Sequence, residues 1–313
     1  MLKRKALNKI FLVSIISFCL IVITTFFIDY DKSEKSNKNE TNMYVYTLNE
    51  NDYISLASVY VDQKLNVEEK IEEMLNIMIC DNNKNSLLPS YYKPILPVGT
   101  KVLEVSLNGD ILKIYFSKEL LDISADQSEK MIEAITYTVT SFEEVLGVEI
   151  YVDNNLLTYV PNTLKSLPTV LTKDYGINKV YELNSNININ KVFLCFYDSY
   201  GNDFFVTKYI NDDREKIEII VDELSNYVFL EGIVSYFPSK LKLLNYTISD
   251  NAIELVFNED ISQFENLYHP LVESLFLNYN KNVVRFIDNE VVKLEIKKWK
   301  NCKKYCIFKN III

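Results

Sequence analysis

Apolar and polar residues along this chain follow two periods that alternate in blocks. Leu103, Val105 and Leu107 interleave with Glu104 and Ser106, a period of two that suits a half-buried strand and no helix. Asn108-Gly109 follows. This is the residue pair of a type I′ turn, and it predicts a hairpin with Val105 opposite Leu112 and Leu103 opposite Ile114. Upstream, 44–48 and 54–61 read as strands. Between them and the hairpin, Asn66 with Glu69 three residues on forms a capping-box pattern. Val67, Ile71, Met74, Leu75 and Met78 follow it at helical spacing. A second helix is expected from near Ser124, boxed by Gln127, with Met131, Ala134, Ile135, Thr138, Val139 and Phe142 on one face. Gly147 is read as its end, and 148–152 as a closing strand.

The same order then returns. Segment 96–116 recurs without a gap as 237–257, with Pro97 reappearing as Pro238 and Phe116 as Phe257. Further on, Gly147 to Asn154 aligns loosely with Asn282 to Asn289. In the second copy, Ser249-Asp250-Asn251 supplies the bend, 191–197 and 204–209 read as strands, and Asp212 with Glu215 opens a helix carrying Ile217, Ile220, Val221 and Leu224. The last helix contains Pro270. Proline is tolerated in a first turn, so this helix is placed to start near His269. The apolar tail 305–313 is expected to add a buried strand. A repeat this long is a domain and not a solenoid unit. The fold class is therefore α+β, as two tandem copies of a small domain with a mainly antiparallel sheet and two helices on one face. The first copy is placed at 43–160 and the second at 191–313, joined by a linker at 161–190 that holds Pro168, Gly176 and an Asn-rich patch.

The N-terminus adds a compartment to this picture. Lys3, Arg4, Lys5 and Lys9 precede an uncharged run from Ile10 to Ile28. At ~1.5 Å per residue this run spans roughly 28 Å, enough to cross a hydrocarbon core. The run ends in Thr24-Thr25-Phe26-Phe27-Ile28, without the small residues of a cleavage site. Segment 1–28 is thus expected to be a basic stub and an uncleaved signal anchor, with everything after it extracytoplasmic. Phe18 before Cys19 disfavours a lipid-anchored cysteine. The stretch 31–42 has no apolar residue and makes 29–42 a flexible tether, reaching at most ~40 Å.

Charge and reactive groups narrow the function classes. The net charge is −10, which repels phosphate backbones and excludes nucleic acid as a partner. Cys80, Cys195, Cys302 and Cys306 lack the spacing of a disulfide framework, and Cys302 with Cys306 is read as two unpaired thiols in place of a local bridge or zinc site. His269 is the only histidine, and its place before Pro270 is explained by a helix start better than by catalysis. Glu143-Glu144 and Asp212-Asp213 read as solvated faces and helix-start charges. The six glycines form no phosphate loop. Trp299, beside Lys297, Lys298 and Lys300, either covers the last strand or lies on an anionic surface. No catalytic residue, cofactor or metal ligand is assigned.

The order of elements and particular residues together resemble the GerMN domain of sporulation and germination proteins. The matching positions are Leu96-Pro97-Val98-Gly99-Thr100, then 111–117 with Glu119-Leu120, Tyr137-Thr138-Val139-Thr140, and 148–153. In the second copy Leu275-Phe276-Leu277-Asn278 stands where the first has the Tyr-Thr pattern, and Cys80-Asp81-Asn82 replaces a Gly-Pro pair usual after the first helix. The resemblance implies a non-enzymatic module of the sporulating or germinating cell. Such a module would bind envelope proteins, with self-association through open sheet faces and edges as a further possibility. The alternative is a protein that binds or modifies cell-wall peptidoglycan.

Overall fold

The computed structural model describes residues 40–226 and 232–298, and the backbone of 306–309. The proposed anchor, most of the tether, Trp299 and the side chains of Cys302 and Cys306 lie outside the described residues. Among the described residues, no helix is long and apolar enough to cross a membrane. The described residues of 42–61 and 65–313 form one compact unit.

The first copy runs β1 (Glu40–Leu48), β2 (Ile54–Asp62), α1 (Val67–Ile77), β3 (Val102–Asn108), β4 (Ile111–Phe116), α2 (Ala125–Val139), β5 (Gly147–Val152) and β6 (Asn155–Leu156). After β7 (Val180–Glu182), the second copy runs β8 (Ile189–Asp198), β9 (Asp203–Asn211), α3 (Lys216–Ser225), β10 (Ile233–Val234), β11 (Leu243–Ile248), β12 (Ala252–Phe257), α4 (Glu265–Asn278), β13 (Val283–Asp288), β14 (Val291–Lys297) and β15 (Cys306–Lys309). The tail strand thus forms, antiparallel to β14. The capping box of α1 is present, with Asn66 and Glu69 each bonding the other's backbone N–H at 2.9 Å.

Each copy builds two sheets where one was expected. The orders are β1-β2 and β3-β4-β5-β6 in the first copy, and β10-β8-β9-β7 and β11-β12-β13-β14-β15 in the second. The pairs β4–β5 and β12–β13 are parallel, which requires a crossover, and α2 and α4 supply it. The first hairpin stays a separate sheet because the crossover helix occupies the free edge of its first strand. The Tyr46 N–H donates to Thr138 Oγ1 at 2.9 Å, and the Cys195 N–H donates to Ser274 Oγ at 2.8 Å. Asn278 adds a further pair with the Phe193 backbone. Edge donors satisfied in this way are closed to another strand, and β10 pairs with β8 only beyond them, at Tyr197 and Asp198.

Those bonds also correct the internal alignment. Thr138 corresponds to Ser274, so the second copy's counterpart of the Tyr-Thr pattern is Glu273-Ser274 and not Leu275-Phe276. The closing strand follows the same corrected offset. Gly147 pairs with Ile111 as Val283 pairs with Ala252, one residue beyond the sequence match. The following turns agree: Asp153 and Asn154 take positive φ in the first copy, Asn289 and Glu290 in the second. A slip of one residue matters in a strand, because it exchanges the two faces.

Three local readings fail for identifiable reasons. The hairpin turn is Gly109-Asp110, with Gly109 at φ +66 and Asp110 outside the left-handed region, the φ pattern of a type II′ turn. Val105 therefore faces Ile114, two residues from expectation, which preserves the faces. Neither Ser124 nor Asp212 boxes its helix. The Ser124 hydroxyl serves Asp126, and the Asp212 carboxylate is taken by Arg214 at 2.7 Å, leaving Glu215 as N-cap. Helix α4 starts at Glu265, four residues before His269, and carries Pro270 inside it, in the second turn.

Gly147 does not end α2. It opens β5, where an added Cβ would sit 2.5 Å from Val170 Cγ1 and 3.3 Å from the Leu171 carbonyl oxygen. Gly147→Ala is expected to cost about 1–3 kcal/mol by overpacking. A thermal melt within a degree of the parent would show that Val170 yields freely.

Candidate interaction surfaces and the domain junction

In each copy the central sheet turns one face to the core and presents the other outward. Leu112, Ile114 and Phe116 are buried, while Lys113 and Tyr115 between them are partly exposed, as strand alternation dictates. Across the parallel pair, Lys113 faces Glu149 at 3.5 Å and Tyr115 stacks on Tyr151 at 4.7 Å between centroids. The second copy places Glu254 and Val256 at the same positions, opposite Arg285 and Ile287. The ion pair persists with its polarity reversed, Arg285 reaching Glu254 at 2.9 Å and Glu295 at 2.7 Å. The tyrosine stack becomes an aliphatic pair. The two outward faces share a frame and differ in chemistry.

The edges repeat more closely. The β3–β4 ladder skips Leu103 and the β11–β12 ladder skips Leu244, each an edge-strand bulge at the same position of its copy. The bulged side chains are 57% and 63% exposed. A bulge re-aims one side chain and interrupts pairing, so each edge offers an apolar knob.

The two copies meet through the segment read as a linker. Val160, Leu167, Leu171 and Ile177 are buried in the first copy's core, and Phe205 of β9 packs against that core. Asn178 is the polar centre of the junction. Its Oδ1 accepts the Ile54 N–H at 3.0 Å, and its Nδ2 donates to the carbonyls of Ile54 at 2.7 Å and Phe205 at 2.9 Å. Its own N–H donates to Glu133 Oε2 at 2.9 Å. Lys179 lies 3.2 Å from Glu133, 2.7 Å from Glu129 and over the Tyr175 ring at 3.4 Å. Burial pushes the Glu133 carboxyl up to about 7, against the pull of Lys179 and the Asn178 N–H. For Glu129 burial acts the same way, but Lys165 and Lys179 outweigh it and hold it below its usual range. A second contact sets the Tyr92 hydroxyl 3.0 Å from both the Leu56 carbonyl and Asp198 Oδ2, with Tyr91 stacked on Tyr200 at 3.8 Å.

The residues weighed for chemistry are dispersed. Glu143, Glu144 and Asp213 are exposed. Cys80 and Cys195 are free thiols, half-buried and buried. His269 sits inside α4, its Nε2 2.8 Å from Asp203 Oδ1 and its ring stacked on Tyr197. Burial lowers its pKa, but the Asp203 carboxylate, with Glu273 and Glu265, leaves it above the usual value. Glu133, Asn178 and Lys179 escaped the sequence reading because an Asn-Lys pair between loop signals carries no periodicity. The outward pairs were visible as alternation, but their partners required the register.

The order of elements and their packing are those of a tandem GerMN fold. Residues 42–158 match the family described as Germane: Sporulation and spore germination. The tandem GerMN domains of the sporulation protein GerM from Bacillus subtilis superpose with a TM-score of 0.71 at 19% identity, over 80% of this chain and 91% of that one. The chain is also 20% identical over 260 residues to the spore germination protein GerM of Bacillus subtilis (strain 168), covering 79% of this chain and 70% of that protein. The resemblance noted in the sequence therefore holds: residues 42–158 carry the GerMN-type domain, and the chain has the tandem GerMN fold.

Proposed function

We propose that the chain works without enzymatic chemistry, as an interaction module that joins envelope proteins during sporulation or germination. Its basic stub and apolar run, 1–28, would hold it in the membrane with both domains extracytoplasmic. The observation that carries this reading is the duplicated edge: two exposed leucines, each on a bulge, at matching positions beside outward faces whose cross-strand ion pairs run in opposite directions. Isolated surface leucines are ordinary, but the same bulge presenting the same residue in both copies is a surface built twice.

The test is the double variant Leu103→Asp, Leu244→Asp in the full chain. Exposed positions cost about 0.5 kcal/mol or less, so its melting should match the parent. Heat-resistant spore formation or germination should fall, together with capture of envelope proteins from membranes of sporulating cells. Normal spores and germination, with unchanged capture, would overturn the reading. Capture of purified peptidoglycan by the parent, lost in the variant, would favour the wall-binding alternative.

A further inference from the structure

Asp203, His269 and Glu273 each bring one donor atom into a cluster whose members lie within 4.8 Å of one another. The fold assembles this cluster from two elements. His269 and Glu273 are one turn apart on α4, a spacing that puts both on one helix face. Asp203 is the first residue of β9 and pairs with Tyr197, whose ring stacks on the imidazole with an interplanar angle of 19°. Helix and hairpin thus hold the ring from two sides.

The donor set has the chemistry of a metal site. One imidazole nitrogen and two carboxylates suit a borderline divalent ion, and zinc above its first-row neighbours except copper. A tetrahedral zinc with bonds of ~2.0–2.1 Å keeps its ligand atoms about 3.3 Å apart. The observed 2.8 Å between His269 Nε2 and Asp203 Oδ1, and the 4.8 Å limit of the cluster, bracket that separation. A divalent ion also balances two carboxylates around a neutral imidazole. All three residues are half-buried, so solvent reaches the cluster.

We propose that Asp203, His269 and Glu273 form a binding site for a divalent transition-metal ion of the zinc class, clipping β9 to α4 in the second domain. This goes beyond the interaction reading and does not depend on it. The bland reading is a His–Asp hydrogen bond with a nearby glutamate, and the two differ in stoichiometry and spectrum.

The experiment uses the chelator-treated full-length chain carrying Cys302→Ser and Cys306→Ser, which removes this closely spaced thiol pair as a competing ligand set. Zinc is titrated calorimetrically and cobalt(II) by its visible absorption. One equivalent should bind saturably, with cobalt bands of tetrahedral or five-coordinate intensity, and zinc should raise the melting temperature. His269→Ala, Asp203→Asn and Glu273→Gln should each weaken zinc by about tenfold or more. Glu273→Gln leaves the Asp203–His269 bond in place, and its melt in chelator beside that of the parent separates loss of zinc from a folding defect. Absence of saturable binding overturns the proposal, as does binding that survives Glu273→Gln and His269→Ala undiminished.

Discussion

Replacing Asn178 with alanine should remove about 3–4 kcal/mol of stability, a large part of the 5–15 kcal/mol that holds a typical domain together. Three bonds disappear at once: from the Ile54 N–H, to the Ile54 carbonyl and to the Phe205 carbonyl. Ile54 is fully buried, so its N–H has no water to turn to, and an orphaned buried group costs about 1–3 kcal/mol. The backbone adds to the loss, because Asn178 sits at φ +44, where a β-carbon costs roughly 1 kcal/mol and asparagine is among the few residues at ease. Asn178→Gly separates the two causes: it relieves the backbone but loses the same bonds, so it should fall between parent and alanine. Urea unfolding followed by circular dichroism checks both. A loss below about 1 kcal/mol for Asn178→Ala would mean that the junction repacks around water. Two resolved transitions in place of one would show that this side chain couples the copies.

The duplication was legible because hydrophobic alternation and the Pro97 and Pro238 turns survive divergence that erased other identities. Position 117 shows how. Lys101 N–H donates to Ser117 Oγ in the first copy, and Lys242 N–H donates to Asn258 Oδ1 in the second, one bond made by different side chains. Alternation is robust to turn type, so misplacing the Asn108-Gly109 turn moved the register by two and left every core residue of β4 inside. It is not robust to a single residue, so the match of Gly147 to Asn282 lies one residue off. Helix starts failed wherever a capping side chain had a stronger partner nearby, as Asp212 has in Arg214. The junction was illegible for a deeper reason. Asn178 and Glu133 matter through partners more than 40 residues away, and neither period nor composition marks a contact of that range.

The same junction divides the two sheets' tasks. The hairpins β1–β2 and β8–β9 share the packing between copies, through Tyr46 on Phe205 and Tyr53 on Phe204. The β3–β6 and β11–β15 sheets keep their outward faces and bulged edges away from that packing, Lys113, Tyr115, Arg285 and Ile287 all remaining partly exposed. The tandem fold fixes two chemically different surfaces in one compact unit, the arrangement that the proposed adaptor role would need. It also makes the junction's stability a condition for holding them together.

That condition carries a pH dependence with a definite sign. The Glu133 carboxyl has its ordinary value of 4.5 raised to about 7 by burial in the folded chain. A group raised on folding binds its proton more tightly in the native state. Its contribution is therefore complete below pH 4.5 and is lost as pH rises through about 7. At 1.36 kcal/mol per pKa unit, the loss across this window is on the order of 3 kcal/mol. Glu223 is raised as well, chiefly by burial, and adds to the slope in the same direction. Glu129, held low by Lys165 and Lys179, acts oppositely and only at acid pH, where its ion pairs fail. The parent should thus be measurably less stable at pH 8 than at pH 5.5. Glu133→Gln should flatten that difference, because glutamine keeps an acceptor for the Asn178 N–H and has no charge to desolvate. Unfolding curves for both proteins at pH 5.5, 6.5 and 8 decide it. Equal slopes in parent and variant would place the ionised carboxylate in a site that Lys179 compensates fully, and the buried pair would then carry no pH dependence.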